Sequence, residues 1–169
     1  LGFGEGPAAD WMVKADPDAP SASNVLAVNS SCPTEACYRV IVADGFQYEY
    51  PDMSVRMRFP VDASAAIGGV VFGVQDARHF YAVVVNLATE TLEVSKVVKG
   101  KETSLGRSPL TPKKGPWHML RIQRNTILSK DFIETFFDGV LAVTVEDQSL
   151  TIGQVGLVVR GSTALDFDS

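Results

Sequence analysis

The sequence predicts an all-β chain: a two-sheet antiparallel β-sandwich of the jelly-roll kind, as one domain over residues 1–169. Three observations predict it. Apolar and polar residues alternate at period two in segment after segment. Gly, Pro, Asp and Asn cut the chain at short intervals into roughly a dozen strand-sized runs. No segment repeats its apolar residues at helical spacing, so a parallel α/β fold has no helices to build with. No fixed period recurs either, which excludes a propeller or a β-helix.

The elements follow in order. "DPDAPSASN" (Asp16 to Asn24) is a loop, and "NVLAVNS" is the strand after it. "CYRVIVA" alternates, and Asp44-Gly45 marks a turn. "MSVRMRF" is the clearest strand: Met53, Val55, Met57 and Phe59 take one face, Ser54, Arg56 and Arg58 the other. "IGGVVFGV" and "HFYAVVVNL" are Val-rich runs joined by the polar knot "QDARH". That knot reads as a turn at the rim of a ligand groove. Gly68, Gly69 and Gly73 suit a bend or a close sheet approach. "TLEVSKVV", "WHMLRIQR", "DFIETFF", "VLAVTV", "QVGLVVRG" and "ALDFD" complete the set. Asp138-Gly139 is a two-residue hairpin signal, and a short helical turn is expected near Glu146 to Leu150. Leu120, Ile122, Ile133, Thr135, Phe137, Val155, Leu157 and Val159 are expected inside. Arg121, Gln123, Phe132, Glu134, Phe136 and Arg160 are expected outside.

Composition narrows the function classes. Hydrophobic residues make up 46% and charged residues 21%, so the chain can bury a core. A net charge of −5 argues against a nucleic-acid partner, which needs clustered Lys and Arg. No apolar run reaches the ~18 residues of a membrane helix, so no membrane insertion is expected. The chain starts at Leu1, which permits removal of an upstream signal. Cys32 and Cys37 flank a Pro-containing turn. They close a disulfide if their Cα atoms lie within ~4.4–6.8 Å; otherwise they are free thiols. Two thiolates alone do not fill a tetrahedral metal site. A disulfide favours a secreted, periplasmic or cell-surface location. Asn29-Ser30-Ser31 is also a formal glycosylation sequon.

Five segments carry a resemblance through their order and spacing: "GGVVFGVQDARHFYAVVVN", "LEVSKVVKG", "PWHMLRIQRN", "FFDGVLAVTVED" and "GQVGLVVRGSTALDFDS". Together they resemble the concanavalin A-like lectin/glucanase jelly rolls, nearest the laminin-G-like and 3-keto-disaccharide hydrolase-like branches. The likeness spans about Val55 to Ser169. It implies two packed antiparallel sheets, one curved to leave a concave surface.

The chemistry is less marked. The glucanases of this superfamily set three acids on one strand face as E-x-D-x-E, and no such triplet is present here. Two-carboxylate glycoside hydrolysis needs acids ~5–9.5 Å apart across a cleft. For an enzyme of the 3-keto-disaccharide type that the resemblance implies, the catalytic candidates are Glu134, Asp76 and His79. His79 also reads as part of a capped hairpin, and His118 as a satisfied, half-buried histidine. No cofactor is expected, though calcium could take the oxygens of Asp166 and Asp168. The binding reading gathers Arg56, Arg58, Tyr81, Arg121, Gln123 and Arg160 on a concave sheet facing a carbohydrate. Forked donors would meet hydroxyls there and an aromatic ring the apolar sugar face. The leading expectation is a non-catalytic carbohydrate-binding domain. The alternatives are a hydrolase or lyase of the 3-keto-disaccharide type and a laminin-G-like protein-interaction domain that binds through its rim loops.

Overall fold

A computed structural model describes residues 2–21 and 23–169. The described residues form fourteen strands and no helix. They are β1 (Gly2–Glu5), β2 (Asp10–Ala15), β3 (Asn24–Ser30), β4 (Tyr38–Val42), β5 (Asp52–Arg58), β6 (Ile67–Asp76) and β7 (His79–Asn86). They continue as β8 (Thr91–Val98), β9 (Lys101–Pro109), β10 (Trp117–Ile127), β11 (Lys130–Phe137), β12 (Val140–Glu146), β13 (Gln154–Arg160) and β14 (Thr163–Asp168). One seven-stranded sheet runs β1-β4-β13-β6-β7-β8-β9, the other β12-β11-β10-β5-β14-β3-β2. The fold is a two-sheet antiparallel β-sandwich. No helix among the described residues is long and apolar enough to cross a membrane.

Alternation builds the core. Val55, Met57, Leu120, Ile122, Ile133 and Phe137 come inward from the second sheet. Val70, Phe72, Tyr81, Val83, Leu92 and Val159 meet them from the first. Thr135 is a polar side chain in the inward row of β11, which Asp131 begins. Its hydroxyl bonds both the N–H and the carbonyl of Val143, each at 3.0 Å, beside a register shift between Thr135 and Phe136. The Asp138-Gly139 turn has positive φ at both residues (50° and 79°), as the tight hairpin requires. The expected helical turn before Leu150 is absent. Asp147 instead accepts the Ser149 N–H at 2.8 Å and folds the segment into a loop.

Strands β6 and β7 break the alternation because both of their faces are buried. The face away from the main core carries Val40, Val42, Ile67, Val71, Phe80, Ala82, Val84 and Val158 as a second apolar cluster. Among the described residues no third layer lies over it. Shelter comes from curvature. Strands β1 and β7 are separated by β4, β13 and β6. A flat sheet would hold them about 19 Å apart, at ~4.8 Å per strand. Yet the rings of Phe3 and Phe80 lie 5.6 Å apart. The first sheet therefore curls, and this outer face is concave. At Gly73 (φ 58°) the β6–β7 register shifts, which turns Phe72 to the core and Val74 to the concave side.

Candidate functional site

The concave face has an apolar half and a polar half. Phe3, Tyr38 and Phe80 fill the first, with Tyr38 and Phe80 rings 6.3 Å apart. Between the halves, Arg160 on β13 reaches Glu102 on the edge strand β9. The contact is a two-pronged ion pair: Nη1 donates to Oε2 at 3.0 Å and Nη2 to Oε1 at 2.8 Å. Those strands are four places apart in the sheet, so the pair can close only because the sheet curls.

Beyond that bridge lies a polar pocket of about 140 Å³, well below the ~300–1,000 Å³ of drug-sized sites. Its floor includes Ile67, Val84 and Ser95. Period two puts Val84 and Asn86 on one side of β7, and Thr91, Glu93 and Ser95 on the same side of β8. Glu93 pairs with Arg107 at 2.7 Å and accepts from the Ser104 hydroxyl at 3.1 Å. Asn86 closes the opposite wall. Its Oδ1 accepts from the backbone N–H groups of Ala88 and Thr89 at 3.0 and 3.1 Å, and its Nδ2 donates to Glu35 at 3.3 Å.

Glu35 reaches the pocket from the loop that Cys32 and Cys37 close, whose Cα atoms are 6.3 Å apart. That loop docks on the β13–β14 turn: Gly161 N–H bonds the Cys37 carbonyl at 3.0 Å and Ser162 Oγ the Cys32 carbonyl at 2.8 Å. Tyr38 stands opposite Arg160 in the ladder. Burial, then the charge of Glu5, raises its phenol above the ordinary value of 10.0, so the hydroxyl stays neutral. The lining holds three carboxylates and two guanidiniums, a net charge of −1. The arrangement can exchange hydrogen bonds in both directions with a small neutral polyol, and it offers no excess positive charge to a polyanion.

The residues expected to bind part company. Only Arg160 reaches the concave face. Arg56, Arg58, Arg121 and Gln123 lie on the outer face of the other sheet, because β5 and β10 belong there. Two of those arginines hold carboxylates of their own. Arg58 pairs with Asp16 and, at 2.7 Å, with Asp166, and lies 4.6 Å over the Trp117 ring. Arg121 pairs with Asp52 at 2.8 Å and lies 5.5 Å from the Phe136 ring, which gives that outward aromatic its cover. Tyr81 is not a surface residue. It is 0% exposed, because its parity on β7 is that of Val83 and Val85. Its hydroxyl donates to Asp147 at 2.6 Å and accepts from the Leu150 N–H at 3.1 Å.

The catalytic candidates do not assemble. Glu134 lies on the outer face of the second sheet, bonded by Asn125 at 3.1 Å. Asp76 and His79 cap the β6–β7 hairpin. Asp76 accepts from the Arg78 N–H at 2.7 Å and contacts His79 Nδ1 at 2.9 Å. The His79 hydrogen bond, followed by that of Arg78, holds the Asp76 carboxyl below its ordinary value. This hairpin is at the far end of β7 from Asn86, about 24 Å away at ~3.4 Å per residue, so "QDARH" is not the pocket's rim. His118 is buried between acceptors, Asp138 at 2.6 Å and the Lys113 carbonyl at 2.8 Å. The proposed calcium oxygens are occupied: Asp166 by Arg58 and Lys14, Asp168 by the Ser21 N–H and hydroxyl. Among the described residues no group of three or more His, Cys, Asp or Glu side chains is placed to hold a metal.

No protein-family model matches the chain, and no curated protein matches it in sequence. Solved structures do match in shape. A carbohydrate binding module, CBM66, from Bacillus subtilis superposes with a TM-score of 0.72 at 14% identity, over 95% of this chain and 92% of that one. Sheep galectin-11, in complex with glycerol, gives 0.51 at 9% identity over 78% and 96%. The GH43 protein BlXynB from Bacillus licheniformis gives 0.58 at 14% identity, over 94% of this chain but only 35% of that protein. At identities this low, these superpositions show a shared fold alone.

Proposed function

We propose that this domain binds carbohydrate without catalysis, in the polar pocket on the concave face of the first sheet. The carrying observation is the pocket's lining. Asn86, Glu93, Arg107, Glu102 and Arg160 converge from four strands; Glu93 and Arg107 hold each other, Glu102 and Arg160 hold each other, and Asn86 is held by Glu35 and the backbone of Ala88 and Thr89. A pre-set array of donors and acceptors with little net charge suits the hydroxyls of a neutral sugar. The shape likeness to a carbohydrate binding module and to galectin-11 supports the reading. The 3-keto-disaccharide hydrolase alternative needs Glu134, Asp76 and His79 to act together, and their separation favours binding over turnover. The disulfide supports a secreted, periplasmic or cell-surface setting.

Titration calorimetry with a panel of neutral oligosaccharides tests the proposal. We expect one ligand class to bind and Asn86→Ala and Arg107→Ala each to weaken it about tenfold, the loss of one or two hydrogen bonds. Binding that survives both changes but falls with Arg121→Ala would move the site to the other sheet.

A further inference from the structure

Phe46, Tyr48 and Tyr50 are 68%, 43% and 49% exposed, while every other Phe, Tyr and Trp among the described residues is buried or half-buried. All three fall in the loop between β4 and β5. That loop is tied down. Tyr48 and Gly153 exchange backbone hydrogen bonds at 2.9 and 3.2 Å, and the Pro51 carbonyl accepts the Arg124 N–H at 2.9 Å. The rings are thus presented on a fixed backbone, which limits the ordering cost of binding. Beside Tyr48 lies a cavity of about 170 Å³, lined also by Pro51, Asp52, Met53 and Val155. There the Asp52 carboxylate holds the Arg121 fork, both bonds at 2.8 Å.

From this loop we infer a second glycan-binding surface, separate from the concave pocket. Sugar rings of a neutral polysaccharide stack on Phe46, Tyr48 and Tyr50, and their hydroxyls bond the Asp52–Arg121 pair. The surface lies at the opposite end of β13 from the pocket. Tyr48 meets Gly153 just before that strand and Arg160 ends it, about 24 Å on at ~3.4 Å per residue. Size, charge and ring arrangement choose the occupant. At ~150–250 Å² for each aromatic side chain, the three expose roughly 250–400 Å², well short of the ~800 Å² per partner of a stable protein interface. No Lys or Arg lies between Ala43 and Ser54, whereas Asp44, Glu49 and Asp52 do, so an anionic polymer or lipid headgroup is disfavoured. Among the described residues no ring contact joins the three to one another, so they do not form the cage that a quaternary ammonium needs. A neutral sugar chain satisfies all three conditions. Its apolar ring faces suit separate aromatic platforms, and its hydroxyls can accept from a guanidinium and donate to a carboxylate.

Affinity electrophoresis through native gels cast with dextran, arabinoxylan, galactomannan or hydroxyethylcellulose tests this. At least one polymer should retard the wild type. Phe46→Ala with Tyr50→Ala should weaken that retardation about tenfold, and Tyr48→Ala should weaken it several-fold. Val61→Ala and Leu128→Ala remove exposed apolar side chains elsewhere and should change nothing, which separates stacking from general stickiness. The same series in Asn86→Ala protein separates this surface from the concave pocket. Loop-dependent retardation should persist there, whether or not the pocket itself binds sugar. Circular dichroism checks that each variant is folded. Retardation by none of the four polymers overturns the proposal, as does retardation indifferent to the loop changes. An equal loss with Val61→Ala and Leu128→Ala also overturns it. So does loop-dependent capture by phosphatidylcholine vesicles in place of the polymers.

Discussion

Removing one oxygen from Tyr81 separates a core anchor from a ligand residue. The phenol is fully buried, and its hydroxyl does two jobs. It donates to the Asp147 carboxylate at 2.6 Å and accepts from the Leu150 N–H at 3.1 Å. Tyr81→Phe keeps the ring and its 5.0 Å stack with Phe72. It leaves the Leu150 amide without that acceptor in a buried place, at ~1–3 kcal/mol, and removes a charge-assisted bond of ~1.5–3 kcal/mol. Asp147 keeps Lys96 and the Ser149 N–H, so part of the loss is recovered. A net cost of ~3 kcal/mol follows, or a fall in Tm of ~6–12 °C for a domain of this size. Calorimetry reads the stability, and titration with the cognate sugar reads the binding. We expect a large thermal shift with affinity unchanged below the melt. An unshifted Tm with lost affinity would refute the reasoning and return Tyr81 to the binding surface.

Three further outcomes are expected. Arg124 is 2% exposed and ion-paired to Asp131 at 2.7 Å, so Arg124→Met should cost ~3–5 kcal/mol in a urea melt by stranding that carboxylate. Burial alone would raise the Asp147 carboxyl, but bonds from Lys96, Tyr81 and Ser149 outweigh it and hold the group below its ordinary 3.8. Its stabilisation is thus complete above that value and lost as pH falls through the lower folded value, so the gap between wild type and Tyr81→Phe should narrow below pH ~4 in acid melts. Replacing Cys32 and Cys37 by Ser opens a short loop and should cost ~2 kcal/mol; because Glu35 rides on that loop, sugar affinity measured by calorimetry should fall with it.

Strand parity was legible because it is local. Met57, Leu120, Ile122, Ile133 and Thr135 point inward as period two requires, and Arg121 and Gln123 point out. Which outward face matters is not local. The arginines drew attention to β5 and β10, yet their charge serves Asp16, Asp166 and Asp52. The better signal was the unbroken apolar run through "VVFGV" and "FYAVVV". A strand apolar on both sides is buried on both sides, and in a two-layer sandwich that requires a curled sheet. Tyr81 was misplaced for the same reason, since within such a run polar atoms do not mark the exposed side. The pocket pair Glu93–Arg107 depends on the β8–β9 register, and a shift between Val94 and Ser95 moves it. Nothing within either strand announces that shift. Glu35 and Asn86 are 51 positions apart and meet only through the disulfide loop's docking.

The most direct measurement is a backbone amide map of the labelled protein titrated with its sugar. We predict that shifts concentrate at Asn86, Glu93, Glu102, Arg107 and Arg160 on the concave face. Shifts gathered instead at Arg56, Arg121 and Gln123, with the concave face silent, would contradict the account.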